Sequence, residues 1–468
     1  MLAYNRGEAM DRIMTLFTHR HLRWPALLIG ASLMACQPQS DDRQTALQGI
    51  EADSAPAPVF DRAAMDALLS SAVENGDVVG VSALVYDEGE VVYRNAFGMS
   101  DREAGTPVEL DTVWRIYSMT KPVMSALIMD LREDGLLELG DPVSDYIPEV
   151  AKMRVIGQDA SGQVSFADQA RPMTIEDLLL HRAGLAYGIF GGNPIENAYQ
   201  KADLFSPAEP LSEKVKRLGD LPLVAQPGEV WSYSYSIDVL GRIAEIVTET
   251  PLNDLLEKRI FDPLGMDDTG FYVRSKSADK LAAIYLRQPD GTFVKLENGT
   301  GPLALPDFTR EPAFYSGGGG LVSTLDDYAK FAEMIDGDGT FRGKDILKPD
   351  TVSLMMSNQL GEDFKSYQPW IGGQTGAGFG YGGSVQMTAT RQQQLSEGRF
   401  PGQWGWSGAA RTTYFADPQN DAFGILMLQF FGGEDPDIHT DFRALVLRET
   451  RDTPLSPDEG VDSERSAD

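Results

Sequence analysis

The sequence predicts an α+β domain with one antiparallel sheet that is built from both ends of the chain and flanked by helices. Strand patterns occur at 80–97 and return only after residue 380, and a mostly helical region of roughly 135–345 lies between them. Because elements bury their apolar faces in layers, strands from the two ends are expected to share one sheet around this helical insertion. A chain of 468 residues can hold one large domain or two closely packed ones, and we place the domain at 58–450.

The individual elements follow from local patterns. Residues 60–75 have a helical pattern, and 80–86 and 90–97 alternate as two strands of a hairpin around the turn Glu88-Gly89. The later strands and the last helix are predicted at 380–387, 412–415, 423–430 and 437–449. The sheet is therefore expected to combine an early hairpin with late strands.

The composition is that of a globular protein with a strongly acidic surface. Apolar residues make up 42% of the chain and aromatic residues 9%, and the formal net charge is -30. Such a charge repels phosphates, so we expect no nucleic-acid partner, and it favours a soluble domain. No obligate protein partner is implied, and the acidity does not identify a substrate.

The first 35 residues are predicted to be a signal peptide. Arginines precede an apolar run from Pro25 to Ala35 that ends in small residues. The sequence Leu33-Met34-Ala35-Cys36 resembles a bacterial lipobox, which implies that Cys36, the only cysteine, is lipidated. Residues 36–57 then serve as a flexible tether, and 451–468 are predicted to be a disordered acidic tail. With Gln37 after the cysteine, the resemblance implies an exported protein, lipid-anchored in the bacterial envelope at the outer membrane and facing the periplasm.

A serine and a lysine stand three residues apart where an amphipathic helix is predicted to begin. Pro122 is tolerated in a first helical turn, so the helix is expected to start close to Ser118 and to place Lys121 on the same face. Its buried face repeats every three or four residues at Met124, Leu127, Ile128 and Leu131. A lysine beside a serine at a helix N-terminus can activate the hydroxyl without a histidine. A second copy, Ser277 to Lys280, has polar surroundings and is interpreted as a solvated surface turn.

The sequence does not contain the motifs that other catalytic mechanisms require. After removal of the signal peptide only His181 and His439 remain, and the sequence has neither a Gly-x-Ser-x-Gly nor a His-Glu-x-x-His motif. His181 is interpreted as a structural hydrogen-bonding residue. The glycines at 317–320 are followed by no Lys-Ser/Thr pair, so we interpret them as a tight backbone passage rather than a phosphate loop. No metal and no cofactor are predicted.

The segment 227–241 carries a specific resemblance. Its Tyr233-Ser234-x-x-x-Asp238-Val239-Leu240-Gly241 run is similar to the tyrosine motif of the serine beta-lactamase-like superfamily, which includes class C beta-lactamases and DD-peptidases, and is closest to the family VIII carboxylesterases. The resemblance implies that Tyr233 is the functional tyrosine and that Tyr235 lies at a substrate-binding position, while Tyr235 considered alone is equally interpreted as a packed aromatic with its hydroxyl hydrogen-bonded. We expect Tyr233, with a depressed pKa beside Lys121, to take the Ser118 proton and later pass it to a leaving alkoxide.

A third segment, 403–418, resembles the Trp-Gly-Gly stretch that opens the edge strand beside the nucleophile in family VIII esterases. The match places Trp406, Ser407 and Gly408 where lactamases carry Lys-Thr-Gly, which implies a substrate-binding role. It also implies that the backbone N–H groups of Ser118 and Ala409 form the oxyanion hole. An indole cannot bind the carboxylate of a penicillin or a peptide, so Trp406 disfavours strong lactamase or peptidase activity.

The resemblance thus implies a beta-lactamase/transpeptidase-like fold and a serine hydrolase that cleaves carboxylic esters, most simply short-chain ones, through an acyl-enzyme on Ser118. Within enzymes, the alternatives are a weak beta-lactamase or DD-peptidase, or an acyltransferase that passes the acyl group to an alcohol. From another class, the chain could be a non-catalytic envelope lipoprotein that binds a ligand. The presence together of Ser118, Lys121, Tyr233 and the glycine-rich strand counts against that alternative.

Overall fold

The computed structural model describes residues 60–450 except 159–163, 207, 298–306, 362–363, 370, 372–374 and 434–436. The predicted signal peptide, the tether with Cys36 and the acidic tail lie outside the described residues. Within the described ranges, no helix combines the length and apolarity needed to cross a membrane.

The centre of the domain is an eight-stranded antiparallel sheet made from both ends of the chain, as the sequence predicts. Nineteen strands are described, and the sheet takes the first three and five late ones in the order β14-β15-β16-β17-β18-β1-β2-β3. The strands are β1 Gly80–Asp87, β2 Glu90–Asp101, β3 Thr106–Pro107, β4 Val113–Arg115, β5 Val155–Gln158, β6 Val164–Ala167, β7 Val230–Trp231, β8 Ile284–Arg287, β9 Phe293–Leu296, β10 Val322–Thr324, β11 Thr340–Phe341, β12 Lys344–Asp345, β13 Lys365–Ser366, β14 Ala377–Phe379, β15 Ser384–Gln386, β16 Trp404–Ser407, β17 Thr413–Asp417, β18 Ala422–Met427 and β19 Phe430–Phe431.

The helices cover the two faces of this sheet. They are α1 Arg62–Glu74, α2 Thr120–Glu133, α3 Val143–Tyr146, α4 Ile175–Leu179, α5 Pro194–Lys201, α6 Leu211–Leu218, α7 Ser236–Thr248, α8 Leu252–Leu256, α9 Asp262–Leu264, α10 Leu325–Asp336, α11 Pro349–Met356, α12 Arg391–Glu397 and α13 Ile438–Glu449. Short 3-10 turns lie at Tyr117–Met119, Pro148–Lys152 and Ser275–Lys280, and one π turn lies at Glu257–Phe261.

Alternate side chains of the strands divide the core in two. Ala83 of β1 and Leu426 of β18 pack with the terminal helices α1 and α13, whereas Leu84 and Ile425, their neighbours in sequence, pack with α2 and the middle of the chain. Successive side chains of a strand point to opposite faces, so each strand contributes to both cores. The second core holds the Ser118 helix against the centre of the sheet.

One local prediction needs correction. The pattern at 380–387 was expected to form one strand, but the chain turns at Gly382, where φ is +94°, and the strands β14 and β15 flank that turn. Only glycine adopts such a backbone without strain, so the turn was encoded in the glycines. The middle region also contains short strands in addition to the predicted helices, notably the hairpins β5–β6 and β8–β9.

Candidate active site

Ser118 lies in the 3-10 turn that joins strand β4 to helix α2. Strand β4 pairs with β10, and the N–H of Ile116 continues that pairing by donating to the Leu321 carbonyl at 3.1 Å. The next residue, Tyr117, is buried and has a φ of +41°. A non-glycine residue in this left-handed region costs on the order of 1–3 kcal/mol, so the surrounding packing must hold the turn in place. Ser118 is thereby presented at the start of α2, as its spacing predicts.

Lys121 is completely buried and has three hydrogen-bond partners around its amine. Its Nζ lies 3.3 Å from Ser118 Oγ, 3.2 Å from the Tyr187 hydroxyl and 2.6 Å from the Gly318 carbonyl oxygen. The amine also lies over the ring of Tyr233, 4.5 Å from its centroid. The structure therefore brings together Ser118, Lys121 and Tyr233, as predicted, and adds two groups that the sequence did not single out.

Burial changes the protonation of this amine. Desolvation lowers the pKa of Lys121 to about 7, while the charge of Asp238 acts in the opposite direction. Removing an ammonium from water disfavours its charged form, which is why a buried lysine can serve as a base near neutral pH. A substantial fraction of Lys121 is thus neutral at pH 7.

Asp238 and the glycine segment form the floor of the site. The Asp238 carboxylate accepts hydrogen bonds from Ser316 Oγ at 2.7 Å and from the Gly318 N–H at 3.2 Å, and the Gly318 carbonyl in turn accepts from Lys121. A Cβ added at Gly318 would overlap Asp238 Oδ2. The interpretation of 317–320 as a tight backbone passage agrees with this close approach. Asp238 was part of the tyrosine motif, but no role for it was predicted.

Tyr233 is held between Ser118 and Trp406. Its hydroxyl is hydrogen-bonded to Ser118 and accepts the Trp406 Nε1–H at 3.1 Å. Burial raises the pKa of Tyr233, although both hydrogen bonds lower it. The expectation of a depressed tyrosine pKa is therefore wrong, because the ring is 5% exposed and the phenolate would be poorly solvated. At neutral pH Tyr233 is a phenol and can donate its proton.

The backbone around Tyr233 is fixed from both sides. Its N–H donates to Gln368 Oε1 at 2.9 Å, and the N–H of Ser234 donates to His181 Nδ1 at 3.2 Å. His181 is buried, and desolvation lowers its pKa well below the usual value, so the ring is neutral. This geometry fits the structural role predicted for His181.

Strand β16 brings the predicted substrate-binding segment beside the nucleophile. Pairing with β15 ends at Gly405, so the strand leaves Trp406 and Ser407 beyond its partner and behaves there as an edge. The Ser407 hydroxyl bonds to Thr413 Oγ1 at 2.8 Å, and the Gly408 N–H donates to the Thr412 carbonyl at 2.8 Å. Ala409 is exposed at the turn that follows. The segment is thus close to Ser118, while Gly408 is buried within the turn.

Two residue interpretations are corrected by burial. Tyr235 is fully buried, and its hydroxyl donates to the Leu204 carbonyl at 3.0 Å, so it is a packed core residue and cannot contact a substrate. Ser277, interpreted as part of a solvated turn, is also buried and donates to Asp268 Oδ1 at 2.7 Å. Its Lys280 pairs with Asp111 at the surface, so the second Ser-x-x-Lys copy has no serine–lysine contact of the kind seen at Ser118.

Tyr187 is a residue of the candidate site that no sequence pattern indicates. Its hydroxyl bonds to Lys121, and its ring lies 5.3 Å from that of Tyr233 in an edge-on arrangement. A single tyrosine in a loop-rich segment gives no periodic signal, so only the tertiary fold reveals it.

Among the described residues, no three His, Cys, Asp or Glu side chains are grouped to hold a metal ion.

The chain resembles known proteins over most of its length. A sequence profile of the Beta-lactamase family matches residues 65–448. Protein Rv1367c from Mycobacterium tuberculosis is 36% identical over 374 residues, which cover 79% of this chain and 90% of that protein. Esterase EstB from Burkholderia gladioli is 31% identical over 373 residues, with coverage of 76% and 87%.

Two solved structures are also similar to this chain. EstCE1, described as a hydrolase with promiscuous acyltransferase activity, aligns with a TM-score of 0.67 at 28% identity over 82% of this chain and 97% of its own. Simvastatin synthase from Aspergillus terreus also aligns with a TM-score of 0.67, over 82% of this chain and 96% of its own, but at 23% identity the likeness concerns the fold alone.

Proposed function

Since the chain belongs to the beta-lactamase family and is a hydrolase of the serine type, we propose that it cleaves carboxylic esters through an acyl-enzyme on Ser118. The observation that carries this proposal is the contact of Ser118 Oγ with a buried lysine amine whose pKa is lowered to about 7. The similarity to an esterase over three quarters of the chain supports the choice of ester as substrate. Short acyl chains are the simplest substrates to test.

In this mechanism Lys121 is the base. A neutral amine has two N–H donors and one lone pair. Of the three groups around Lys121 Nζ, the Gly318 carbonyl and the Tyr187 hydroxyl can accept its two N–H groups. When the N–H groups point to the Gly318 carbonyl and the Tyr187 hydroxyl, the lone pair faces Ser118 Oγ at 3.3 Å. The Ser118 proton then moves to Lys121 as the serine oxygen attacks the ester carbonyl.

Tyr233 completes the proton transfers. After the tetrahedral intermediate forms on Ser118, the phenol of Tyr233 donates its proton to the leaving alkoxide, and the proton held by Lys121 restores the phenol. The negative oxygen of the intermediate is stabilised by the N–H groups of Ser118 and of Ala409, which follows strand β16. Water then attacks the acyl-enzyme with the same groups acting in reverse order.

The aromatic residue at position 406 favours neutral esters over anionic lactams. Trp406 presents an indole where the resemblance places a lysine in lactamases, and its N–H is donated to Tyr233. A substrate carboxylate would therefore meet no ammonium at this position. We expect little turnover of penicillin-like compounds.

The test compares the full chain with Ser118→Ala on p-nitrophenyl acetate, p-nitrophenyl butyrate and nitrocefin. We expect a burst of p-nitrophenol, an acyl adduct on the intact protein by mass spectrometry, and loss of both in Ser118→Ala. Faster turnover of nitrocefin than of either ester would contradict the substrate assignment. An inert wild type with no adduct would favour a non-catalytic binding lipoprotein.

Acyl transfer is a second candidate activity, supported by the acyltransferase activity described for EstCE1. An alcohol can replace water as the acceptor, because both attack the same acyl-enzyme. Adding a primary alcohol to the ester assay should then yield the exchanged ester in addition to the free acid. Product analysis that finds acid alone at every alcohol concentration would remove this candidate.

The location of the enzyme is a separate proposal. The lipobox resemblance at 33–36 supports export and attachment to the bacterial envelope through Cys36. In a Gram-negative host, wild-type protein should fractionate with membranes and incorporate labelled palmitate. Cys36→Ser should do neither, and an unchanged distribution of this variant would contradict the anchor.

A further inference from the structure

A buried carboxylate that the mechanism above does not use lies beside the active site. Glu196 belongs to helix α5 and is 1% exposed. Among the described residues its carboxylate forms no ion pair; its partners are backbone N–H groups. Burying a charge without an opposite charge is costly unless several hydrogen bonds replace its water. The buried carboxylate of Glu196 therefore depends on the backbone segment whose N–H groups it accepts.

Glu196 accepts hydrogen bonds from backbone N–H groups of the loop 187–190. Its Oε2 accepts the N–H of Gly188 at 2.8 Å and that of Phe190 at 3.4 Å. Gly188 has a φ of +78°, and a Cβ there would lie 2.7 Å from the Gln200 nitrogen in α5. The loop thus wraps around one carboxylate and packs directly against the helix that carries it.

This loop supplies one wall of the active site. Tyr187 places its hydroxyl 3.2 Å from Lys121 Nζ, and Phe190 packs against Tyr187 and Tyr233 with centroid distances of 6.3 and 6.4 Å. The position of the Tyr187 hydroxyl determines whether Lys121 has a second acceptor for its N–H groups. Any shift of the loop backbone would move that acceptor.

We propose that Glu196 is a positioning residue of the hydrolase: its carboxylate fixes the loop 187–190 and thereby holds the Tyr187 hydroxyl where it orients the lone pair of Lys121 toward Ser118. This inference rests on the proposed function, because orientation of Lys121 matters only if Lys121 is the base. Glutamine cannot replace the carboxylate fully, since its NH₂ group would face backbone N–H donors. Aspartate keeps the charge but shortens the reach.

The experiment measures kcat/KM for p-nitrophenyl butyrate between pH 5 and 9 in wild type, Glu196→Gln, Glu196→Asp and Tyr187→Phe. Rates are expressed per active site from the burst amplitude, so that misfolded protein does not count. We expect kcat to fall about 10- to 100-fold in Glu196→Gln and Tyr187→Phe with little change in KM, as for a misplaced catalytic group. Glu196→Asp should retain more activity.

The pH profile separates positioning from a general loss of structure. Lys121 is surrounded by Ser118, Tyr187, Tyr233, Asp238 and His181. Loss of the Tyr187 acceptor destabilises the ammonium, so the acid limb should move to lower pH in both variants. A control is Asp327→Asn, which removes another buried carboxylate that accepts a backbone N–H, from Asp268 at 2.7 Å, and that also pairs with Lys330 at 2.8 Å. The control should lower the thermal midpoint and leave the acid limb unchanged.

A double variant decides whether Glu196 acts through Tyr187. If it does, Glu196→Gln combined with Tyr187→Phe should be no slower than Tyr187→Phe alone. A double variant whose losses multiply, or a Glu196→Gln enzyme with the wild-type kcat and pH profile, would overturn the inference while leaving the esterase proposal intact. A wild-type enzyme that hydrolyses no ester would overturn the proposed function, and this inference with it.

Discussion

At the scale of single residues, the spacing of Ser118 and Lys121 predicted their contact and the family resemblance predicted Tyr233, but neither predicted the other groups that the fold brings to Lys121. Ser118 and Lys121 share one helical face, so their contact follows from spacing alone. Tyr187 and the Gly318 carbonyl reach Lys121 from distant segments, and no local pattern encodes that meeting. The protonation states were also beyond the sequence, because they depend on how much water each group loses on folding.

The lowered pKa of Lys121 makes a prediction about the pH dependence of activity. Because the neutral amine is the base, kcat/KM should rise with pH, reach half of its plateau near pH 7, and level off above that value. The charge of Asp238 raises the pKa of Lys121, so Asp238→Asn should move the acid limb to lower pH. Initial rates in constant ionic strength buffers measure both curves. A flat profile from pH 6 to 8, or a limb moved upward in Asp238→Asn, would contradict the assignment of the base.

The hydrogen bond from Trp406 to Tyr233 can be tested by removing one donor. Trp406→Phe keeps an aromatic ring but loses the N–H, and a neutral hydrogen bond contributes about 0.5–1.5 kcal/mol, so kcat should fall about 2- to 12-fold. Trp404→Phe is the matched control on the same strand, since its buried Nε1 has no partner among the described residues. We expect Trp404→Phe to keep the wild-type kcat. Equal losses in the two variants would assign the effect to packing.

At the scale of elements, helices and strands with a clear period were predicted well, and their ends and turns less well. The first helix, the first strand of the hairpin and the last helix lie within about two residues of their predicted positions, because period 3.6 and period 2 leave a strong pattern, whereas the second strand extends four residues beyond its predicted end. Strands of two to four residues, such as β5 and β13, are too short to show a period. Their existence depends on partners elsewhere in the chain.

The glycine segment 317–320 gives a prediction at this scale. Gly318→Ala would drive its Cβ into Asp238 Oδ2 and leave only 3.2 Å to the Tyr187 hydroxyl, so the Gly318 carbonyl should shift away from Lys121. Since misplacement of about 1 Å can cost about 100-fold in rate, we expect a loss of this order in kcat. At Gly319 the nearest atom to an added Cβ lies 3.6 Å away, an ordinary contact.

Gly319→Ala is therefore the control for that experiment, and it should retain most of the activity. Thermal unfolding of both variants shows whether the loss in Gly318→Ala exceeds what destabilisation explains. A Gly318→Ala enzyme as active as Gly319→Ala would mean that the backbone passage tolerates a side chain and does not position Lys121.

At the scale of the whole molecule, the sequence predicted that one sheet joins both ends of the chain, because strand patterns were confined to those ends. The same separation explains why the active site draws on segments more than 280 residues apart: Ser118 follows β4, and Trp406 lies on β16. The acidic composition was also visible, with a formal charge of -30. The sequence could not show where this charge becomes concentrated within the fold.

Acidic side chains are concentrated where helix α10 meets the sheet. Asp336, at the end of α10, hydrogen-bonds to Asp421 in the turn between β17 and β18, with Glu333 and Asp338 nearby. Burial, together with these carboxylates, raises the pKa of Asp336 to about 8. Two carboxylates in contact cannot both ionise without repulsion, so Asp336 keeps its proton in the folded state above the usual range.

This pair predicts how stability depends on pH. The folded state binds a proton that the unfolded chain releases above the ordinary pKa of 3.8, so the free energy of unfolding should decrease as pH rises from about 4 to 8 and then level off. Asp336→Asn keeps a hydrogen bond without the charge, and should raise stability at pH 8.5 by on the order of 1 kcal/mol, given partial screening by water at a site that is not fully buried. Urea unfolding of wild type and Asp336→Asn at pH 5 and pH 8.5 measures these free energies of unfolding. The difference between the two proteins isolates the contribution of Asp336, because any contribution from Lys121 is the same in both. If the two proteins differ as much at pH 5 as at pH 8.5, the effect does not come from the raised pKa of Asp336.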